Sequence, residues 1–241
     1  MKKLFFAALL ATCSIVQPAS AAKGQADTYY YLVFSDPAPG EEAEYNRWYD
    51  HQHAPDVVAV PGFVTAQRFV LAGAQMRETP APSKYLVVYK VVTDDLASVI
   101  AEVNRRLQTK MTLISPAFKG ARNSPGGYYK AISPIVEHKG AAAAKGDTYY
   151  QFDFSNGFEK QYIADRVAMP GFVTGVEGEL SDARERPGQT SYRYLAMFQI
   201  VPSQLPAGSK TSGHVGFTYK TWGPLHSGDQ VRAERAKSSK D

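Results

Sequence analysis

The sequence predicts an α+β protein in which one β-α-β-β-α-β unit occurs twice along the chain. Two observations lead to this prediction. Four sequence segments recur in the same order, and self-similarity of this kind indicates a repeated structural unit. The recurring segments have the composition of strands, whereas the residues between them have the composition of helices.

Four anchors define the repeat. Residues 27–30 (DTYY) return at 147–150, and residues 60–65 (VPGFVT) return as MPGFVT at 169–174. The other anchor pairs are 84–89 with 193–198 and 129–130 with 219–220. The spacing between matched anchors falls from 120 to 109 and then to 90 residues, so the second copy is shorter by 11 and then by 19 residues.

The first copy shows the order of the elements. Its strands are predicted from a high content of Tyr, Phe, Val and Thr between Gly, Pro and Asp residues, at 28–35, 63–71, 84–92 and 127–132. Helices are predicted at 41–54 and 94–110, the latter with apolar residues at three-to-four spacing: Leu96, Val99, Ile100, Val103 and Leu107. The residues that the second copy lacks fall in these helical segments.

This order is that of a ferredoxin-like unit, whose sheet carries helices on one face and must cover the other. We therefore expect two tandem ferredoxin-like repeats that form an intrachain pseudo-dimeric α/β barrel with a degenerate second repeat. The expected divisions are a signal peptide at 1–21, repeat 1 at 27–137, a linker at 138–146, repeat 2 at 147–226 and a flexible tail at 227–241.

The N-terminus has the pattern of a secretory signal peptide. Lys2 and Lys3 precede a 13-residue apolar run, and Ala19-Ser20-Ala21 forms an A-x-A cleavage pattern. We expect a bacterial periplasmic or secreted protein. Cys13, the only cysteine, lies within this leader, so disulfides, thiolate catalysis and cysteine metal sites are not expected in the mature chain.

Composition excludes several classes of function. The formal net charge of +4 falls to +2 once the two leader lysines are removed, so we expect no nucleic-acid partner. After the leader, no apolar run approaches the roughly 20 residues of a membrane span. The absence of G-x-G-x-x-G, Walker and G-x-S-x-G patterns argues against nucleotide binding and serine-hydrolase chemistry.

The segment 45–56 (YNRWYDHQHAPD) carries the most reactive side chains. With the VPGF that follows, it resembles the EthD-like branch of the dimeric α/β-barrel superfamily, whose first helix carries a W-Y-D-x-x-H-x-P pattern. The matching residues are Trp48, Tyr49, Asp50, His53 and Pro55. The resemblance implies small hydrophobic or polyketide-like ligands and, in some members, cofactor-free decarboxylation or dehydration. Other members are monooxygenases, isomerases or haem enzymes, and the second copy matches only through its strands.

The residues suggest a chemistry of their own. Pro55 disfavours helical geometry in the residue before it, so we expect the helix to break just after His53. On that helix Asp50 lies three residues before His53 and is expected to orient its imidazole, which could then act as a general acid and base near neutral pH. Tyr49 would polarise a substrate oxygen, and Trp48 would form an apolar wall. The alternative is that Asp50 and His53 only stabilise the helix end.

Further substrate-binding candidates lie on the same helix and on two strands. Tyr45 belongs to the helical segment, and Tyr85 and Tyr89 share one face of a strand. Arg68 could bind a substrate carboxylate or form an ordinary salt bridge. Four more residues, Tyr30, Tyr31, Tyr129 and Trp222, are candidates for the pocket wall between which the sequence does not decide.

No metal or cofactor site is expected. His51 and His53 point about 200° apart on a helix, and His138, His214 and His226 are predicted at the surface. Only the family resemblance brings haem into consideration.

Three functions remain. The first is a cofactor-independent lyase or isomerase acting on a small aromatic or hydrophobic compound, with His53, Asp50 and Tyr49 as catalytic residues. The second is a periplasmic binding or accessory protein that holds a hydrophobic ligand without catalysis. The third is a haem-binding oxidative protein. The tandem repeat removes the need for the usual dimer and leaves further oligomerisation open.

Overall fold

The computed structural model describes residues 25–76, 80–120, 124–139, 148–182, 192–205 and 213–238. The expected signal peptide and most of the expected linker lie outside these residues. Ten strands occur in the described part: β1 Asp27–Pro37, β2 Phe63–Leu71, β3 Tyr85–Thr93, β4 Phe118–Gly120, β5 Gly127–Ala131, β6 Val136–Glu137, β7 Tyr149–Ser155, β8 Phe172–Leu180, β9 Tyr194–Ile200 and β10 Val215–Ser227.

The helices are fewer and shorter. They are α1 Glu42–Trp48, α2 Ala54–Val58, α3 Leu96–Gln108, α4 Tyr162–Val167 and α5 Gly228–Ser238. A π-helical turn, Tyr49–His53, joins α1 to α2, and a 3₁₀ turn occurs at Pro202–Gln204. In the described part of the chain, no helix has both the length and the apolar character needed to cross a bilayer.

Eight strands close into an antiparallel barrel. The order around the barrel is β1-β3-β2-β10-β7-β9-β8-β5, and β5 pairs again with β1. The short strands β4 and β6 add to β1 and β8. The α+β class is therefore confirmed, and the closed barrel leaves none of these eight strands as a free edge.

Alternation along the strands gives β1–β3 an apolar region on each face. One fills the barrel lumen and includes Phe34, Phe69 and Phe152. The other lies between the outer face of β1–β3 and the helices, and it contains Tyr85 and Tyr89, the residues predicted to share one face, together with Val87 and Val91. The shared face predicted for β3 is thus confirmed.

The repeated Pro-Gly-Phe has the same local structure in both copies. Gly62 has φ +95° and Gly171 has φ +83°, a region that glycine adopts without a Cβ penalty. Each glycine ends a turn after a helix, and the next phenylalanine begins a buried strand. Both copies therefore need glycine in this turn because its backbone has a positive φ.

Helix α3 matches its prediction closely. Asp95 caps it through a hydrogen bond that its carboxylate accepts from the Ser98 N–H at 3.0 Å. Leu96, Val99, Ile100 and Val103 form the buried face. In the second copy the short helix α4 precedes β8, as the segment from α1 to α2 precedes β2 in the first copy. The 3₁₀ turn follows β9, as α3 follows β3.

The expected flexible tail at 227–241 is wrong for most of its length, because residues Gly228–Ser238 form α5. Arg232 holds this helix by donating from Nη1 to the carbonyls of Val58 at 3.0 Å and Phe63 at 3.1 Å. Arg235 adds an ion pair with Asp56. The sequence of this segment resembles a solvated chain end because α5 is docked by polar side chains and lacks an apolar stripe that would predict a packed helix.

We expect Arg232→Ala to lower the free energy of unfolding by about 1–2 kcal/mol, since charged donors to backbone carbonyls are lost. Urea unfolding followed by circular dichroism measures this. Arg105→Ala is the matched control, because that arginine is half exposed and, among the described residues, pairs with Glu102 and Met111 on the surface. Equal losses in the two variants would contradict a docking role for Arg232.

Candidate functional site

The helical segment from Glu42 to Val58 does not break at Pro55. Its middle turn is π-helical, and the Ala54 N–H donates to the carbonyl of Tyr49, five residues earlier. Ala54 keeps helical angles of φ −63° and ψ −43°. The predicted loss of helical geometry at Ala54 is therefore wrong, because one widened turn accommodates the proline. The predicted discontinuity after His53 is present as a change of helix type, since the π-helical turn ends at His53 and α2 begins at Ala54 with Pro55 in its first turn.

The widened turn also changes which side chains lie together. In an α-helix Asp50 and His53 would be neighbours at a spacing of three. Here Asp50 accepts a hydrogen bond from Nη1 of Arg68 at 2.6 Å, while His53 faces another side of the segment. The predicted orientation of His53 by Asp50 is wrong, since Asp50 has a different partner.

Arg68 occupies a cage built from three tyrosines. Its side chain is 1% exposed, and Cζ lies 4.7 Å from the ring centroid of Tyr49, 5.2 Å from that of Tyr85 and 5.3 Å from that of Tyr45. Such contacts stabilise a desolvated cation. We call Arg68 with Tyr45, Tyr49 and Tyr85 the arginine cage.

Hydrogen bonds complete the arginine cage. Nη2 of Arg68 donates to the side-chain oxygen of Asn46 at 2.7 Å, and the amide of Asn46 donates to the Tyr85 hydroxyl at 3.1 Å. Burial raises the pKa of Tyr45 to about 12, so its hydroxyl stays protonated beside Ser35. With both terminal nitrogens of Arg68 engaged, the predicted carboxylate site at Arg68 is wrong and the salt-bridge alternative is confirmed.

The second half of the chain contacts this cage through β10. A Cβ added at Gly223 would lie 2.7 Å from Oδ1 of Asp50, so only glycine allows the strand to approach this closely. The Trp222 ring lies 6.3 Å from the Tyr85 ring in an edge arrangement. The irregular register of β10 against β2 between Trp222 and His226 places both residues here.

His53 lies on the opposite side of Tyr49. Its ring stacks on Trp48 with centroids 4.5 Å apart and meets the Tyr49 ring edge-on at 5.1 Å. Trp48 is fixed in turn because its Nε1 donates to the carbonyl of Leu113 at 3.1 Å. Among the described residues, Nδ1 of His53 is buried and has no hydrogen-bond partner.

A small cavity of about 50 Å³ adjoins this imidazole, and we call it the His53 cavity. Strands β1 and β3, helix α3, the segment after α3, strand β4 and the helical segment all contribute to its wall. Apart from His53 the lining is apolar or aromatic: Tyr31, Val33, Val57, Tyr89, Val103, Leu107, Ile114 and Phe118. This wall suits a small hydrophobic compound.

Burial sets the charge state of the site. It lowers the pKa of His53 to about 3, and a backbone interaction with Leu113 offsets this only in part. The predicted imidazole pKa near neutrality is therefore wrong, because water that would stabilise the imidazolium is excluded. Burial raises the pKa of Tyr49 well above its usual value, and the nearby Tyr89 hydroxyl adds to the rise.

The structure divides the predicted site residues into two groups. His53 and Tyr89 line the His53 cavity, and Trp48 stacks on the His53 ring. Tyr45, Tyr49 and Tyr85 surround Arg68 in the arginine cage, and Asp50 is hydrogen-bonded to Arg68. Tyr49 contacts both groups.

Several contributors were missed from the sequence. Asn46 lies in the motif segment but was given no role, and Phe118 and Ile114 come from a stretch without periodicity. Tyr31 was one of four undecided tyrosine and tryptophan candidates, and it lines the cavity. Strand parity decides this, because Tyr31 and Tyr89 are direct partners in the β1–β3 register.

The remaining histidines are less exposed than predicted. His214 stacks on Tyr162 at 4.2 Å with a side chain 5% exposed, and Nε2 of His226 is buried. His138 contacts the carbonyl of Val167 through Nδ1. Within the described ranges, no cluster of three His, Cys, Asp or Glu side chains could hold a metal ion.

The second copy has replaced the chemistry of this position. At the 109-residue spacing Tyr162 stands where the first copy has His53, and its hydroxyl donates to Asp153 at 2.6 Å. At the 120-residue spacing Asp153 matches Val33, which lines the His53 cavity. A polar pair thus fills the place that a histidine and an open apolar wall hold in copy one.

Comparisons with known proteins give likenesses of backbone only. A crystal structure described as an anthrone oxidase-like protein matches with a TM-score of 0.48 and 10% identity, over 85% of this chain and 94% of that chain. A "putative monooxygenase" from Fusobacterium nucleatum subsp. nucleatum matches with a TM-score of 0.42 and 5% identity, over 84% and 94%. A protein of the same description from Lactobacillus acidophilus matches with a TM-score of 0.39 and 9% identity, over 85% of this chain and 97% of that chain.

No protein-family model matches the sequence, and no curated protein matches it. At TM-scores below 0.5 and identities of 10% or less, function has to be inferred from the site itself.

Because His53 is buried and neutral, we expect the free energy of unfolding to depend on pH. In the unfolded chain its pKa is near 6.5, and in the folded chain it is about 3, so between these values only the unfolded state binds the proton. Stability contributed by the neutral form is present above pH 6.5 and falls as the pH drops. From pH 7 to pH 5 we expect a loss of about 2 kcal/mol that His53→Gln abolishes.

Urea unfolding of the wild type and of His53→Gln at several pH values tests this expectation. His51→Gln is the control, because His51 is exposed on the same turn. Parallel pH profiles for the wild type and His53→Gln would show that His53 is not held neutral by burial.

Proposed function

We propose that the chain binds a small aromatic or hydrophobic compound in the His53 cavity and catalyses a cofactor-independent proton transfer on it, of the lyase or isomerase type. The observation that carries the proposal is the buried Nδ1 of His53, which has no partner among the described residues and stands beside an apolar cavity. A buried polar atom without a partner is costly, and a ligand that donates to it would recover that cost.

A neutral imidazole fits one kind of reaction. Nδ1 would take a proton from a carbon next to a substrate carbonyl, and the electron pair would move to the carbonyl oxygen. The Tyr49 hydroxyl, kept protonated by burial, would donate to that oxygen. The substrate anion and the new imidazolium would stabilise each other, and returning the proton to a different carbon completes an isomerisation.

Ligand entry requires movement of the segment that covers the cavity. About 50 Å³ is far below the 300–1,000 Å³ typical of ligand pockets. The covering segment follows α3 and exposes Leu113 and Ile114 by 48% and 49%. The hydrogen bond from Trp48 to Leu113 would break as the segment lifts.

One observation favours a second candidate, binding without catalysis. A histidine whose pKa is about 3 is a weak base, although it accepts a hydrogen bond well. A phenol or another weakly acidic ligand would then be held through the imidazole and would leave unchanged. Turnover separates the two candidates.

The finer fold assignment and the family belong to the same proposal. The strand orders β5-β1-β3-β2 and β10-β7-β9-β8 are the same when matched by repeat, which supports two tandem ferredoxin-like repeats with a degenerate second copy. The W-Y-D-x-x-H-x-P motif on a helix before β2 supports membership of the EthD-like branch. Export of the mature chain to the periplasm is proposed from the leader pattern at residues 1–21.

Native mass spectrometry of the protein purified from its own cells tests these proposals together. We expect a monomer lacking residues 1–21 that carries an organic adduct, or one that takes up members of a panel of aromatic ketones and phenols. His53→Gln should weaken retention of that compound by about tenfold, the value of one hydrogen bond to a buried group. His51→Gln should leave retention unchanged.

Incubation of the retained compound with the protein then decides between the two candidates. Conversion that His53→Gln abolishes supports the enzyme, and retention without conversion supports the binding protein. A compound that binds equally to His53→Gln and to the wild type contradicts both.

A further inference from the structure

A second and larger cavity of about 470 Å³ opens at one end of the barrel. It lies inside the ring of strands, whereas the His53 cavity lies outside the ring under the helices. The two cavities share no lining residue. We call this second cavity the barrel mouth, and its volume is in the range of sites that hold small molecules.

Matched positions of the two copies meet across the barrel mouth. Tyr30 and Tyr150 line it at the 120-residue spacing, and Val88 and Met197 line it at the 109-residue spacing. The rim is matched too, since Ile135 and Leu225 lie at the 90-residue spacing. Both copies therefore contribute equivalent positions to the wall of the cavity.

The barrel mouth is amphipathic. Phe69 and Phe152 belong to the apolar core of the lumen and form the inner end of the cavity. At the outer end Ile135 and Leu225 are 58% and 62% exposed. Apolar side chains of this size at an open rim mark a place where an apolar ligand gains by entering.

Charge breaks the match between the copies at one position. The first copy has Lys90 where the second has Gln199, and both line the cavity. Lys90 faces Tyr30 in the β1–β3 register and makes no ion pair with another described residue. Glu137, the other charged lining residue, is exposed on the separate short strand β6 and is likewise unpaired in the described part.

We propose that the barrel mouth binds an amphipathic carboxylic acid, with its apolar part against Phe69, Phe152 and Met197 and its carboxylate at Lys90. Two donors stand side by side for the carboxylate, the ammonium of Lys90 and the hydroxyl of Tyr30. Burial raises the pKa of Tyr30, which keeps that hydroxyl protonated. The matched position in the second copy is Gln199, which is uncharged. The carboxylate is therefore expected to lie on the Lys90 side of the cavity.

Calorimetric titration with decanoate, decanol and decylamine tests the proposal on the full mature chain. We expect decanoate to bind one to one, and about 5- to 10-fold more tightly than decanol, as one partly exposed charged contact gives. Decylamine should bind most weakly. Lys90→Gln, which copies the residue of the second repeat, should remove the preference for decanoate and leave decanol unchanged.

Lys130→Gln is the matched control, since Lys130 pairs with Asp27 and does not line the cavity. Equal affinity of the wild type for decanoate and decanol would overturn the proposal. So would a decanoate preference that survives Lys90→Gln.

Methionine methyl NMR locates the bound acid and separates this site from the proposed function. Met197 lines the barrel mouth, while Met111 lies in the segment that follows α3 near the His53 cavity. Decanoate should shift the Met197 methyl resonance, assigned with Met197→Leu, and leave Met111 in place. A shift of Met111 alone would place the acid at the His53 cavity and overturn the barrel-mouth site without affecting the proposed function.

Discussion

The ion pair between Arg68 and Asp50 is the contact around which the first half of the molecule is organised. A guanidinium with 1% exposure loses several kcal/mol of hydration, which only well-placed partners offset. Those partners, Asp50 and Asn46, come from the helical segment, so that segment has to lie against β2. The same demand explains the π-helical turn, because Asp50 points toward the sheet while His53 points toward the cavity. Gly223, from the second half of the chain, packs closely against the Asp50 carboxylate.

Desolvation then determines the chemistry on either side of Tyr49. It lowers the pKa of His53 and raises that of Tyr49, so the imidazole that lines the His53 cavity is a neutral acceptor and the adjacent Tyr49 hydroxyl is a neutral donor. Such a site favours uncharged, weakly acidic compounds. The barrel mouth differs because Lys90 stands near solvent, where a charged ligand keeps part of its hydration. A cavity without charged lining residues and a cavity lined by Lys90 would serve different ligands.

The strands and α3 could be predicted because their signals are local. β2 was predicted at its observed bounds, and the buried face of α3 follows the apolar spacing. The π-helical turn could not be predicted, since it depends on a hydrogen bond from Ala54 to Tyr49 that competes with the ordinary helical one. The partner of Arg68 was missed for a related reason, because a strand residue meets a helix residue only after the two elements pack. Helix α5 was missed because Arg232 docks it on backbone carbonyls, which leave no trace in the sequence.

The Arg68–Asp50 pair holds the turn that buries His53. Titration of the His53 imidazole by ¹⁵N NMR in Asp50→Ala tests it most directly. Glu44→Ala is the control, since it removes an exposed ion pair with Arg47 from the same helical segment. We expect the pKa of His53 to rise from about 3 toward 6.5 in Asp50→Ala and to stay low in the control. A pKa that remains near 3 in folded Asp50→Ala would contradict it.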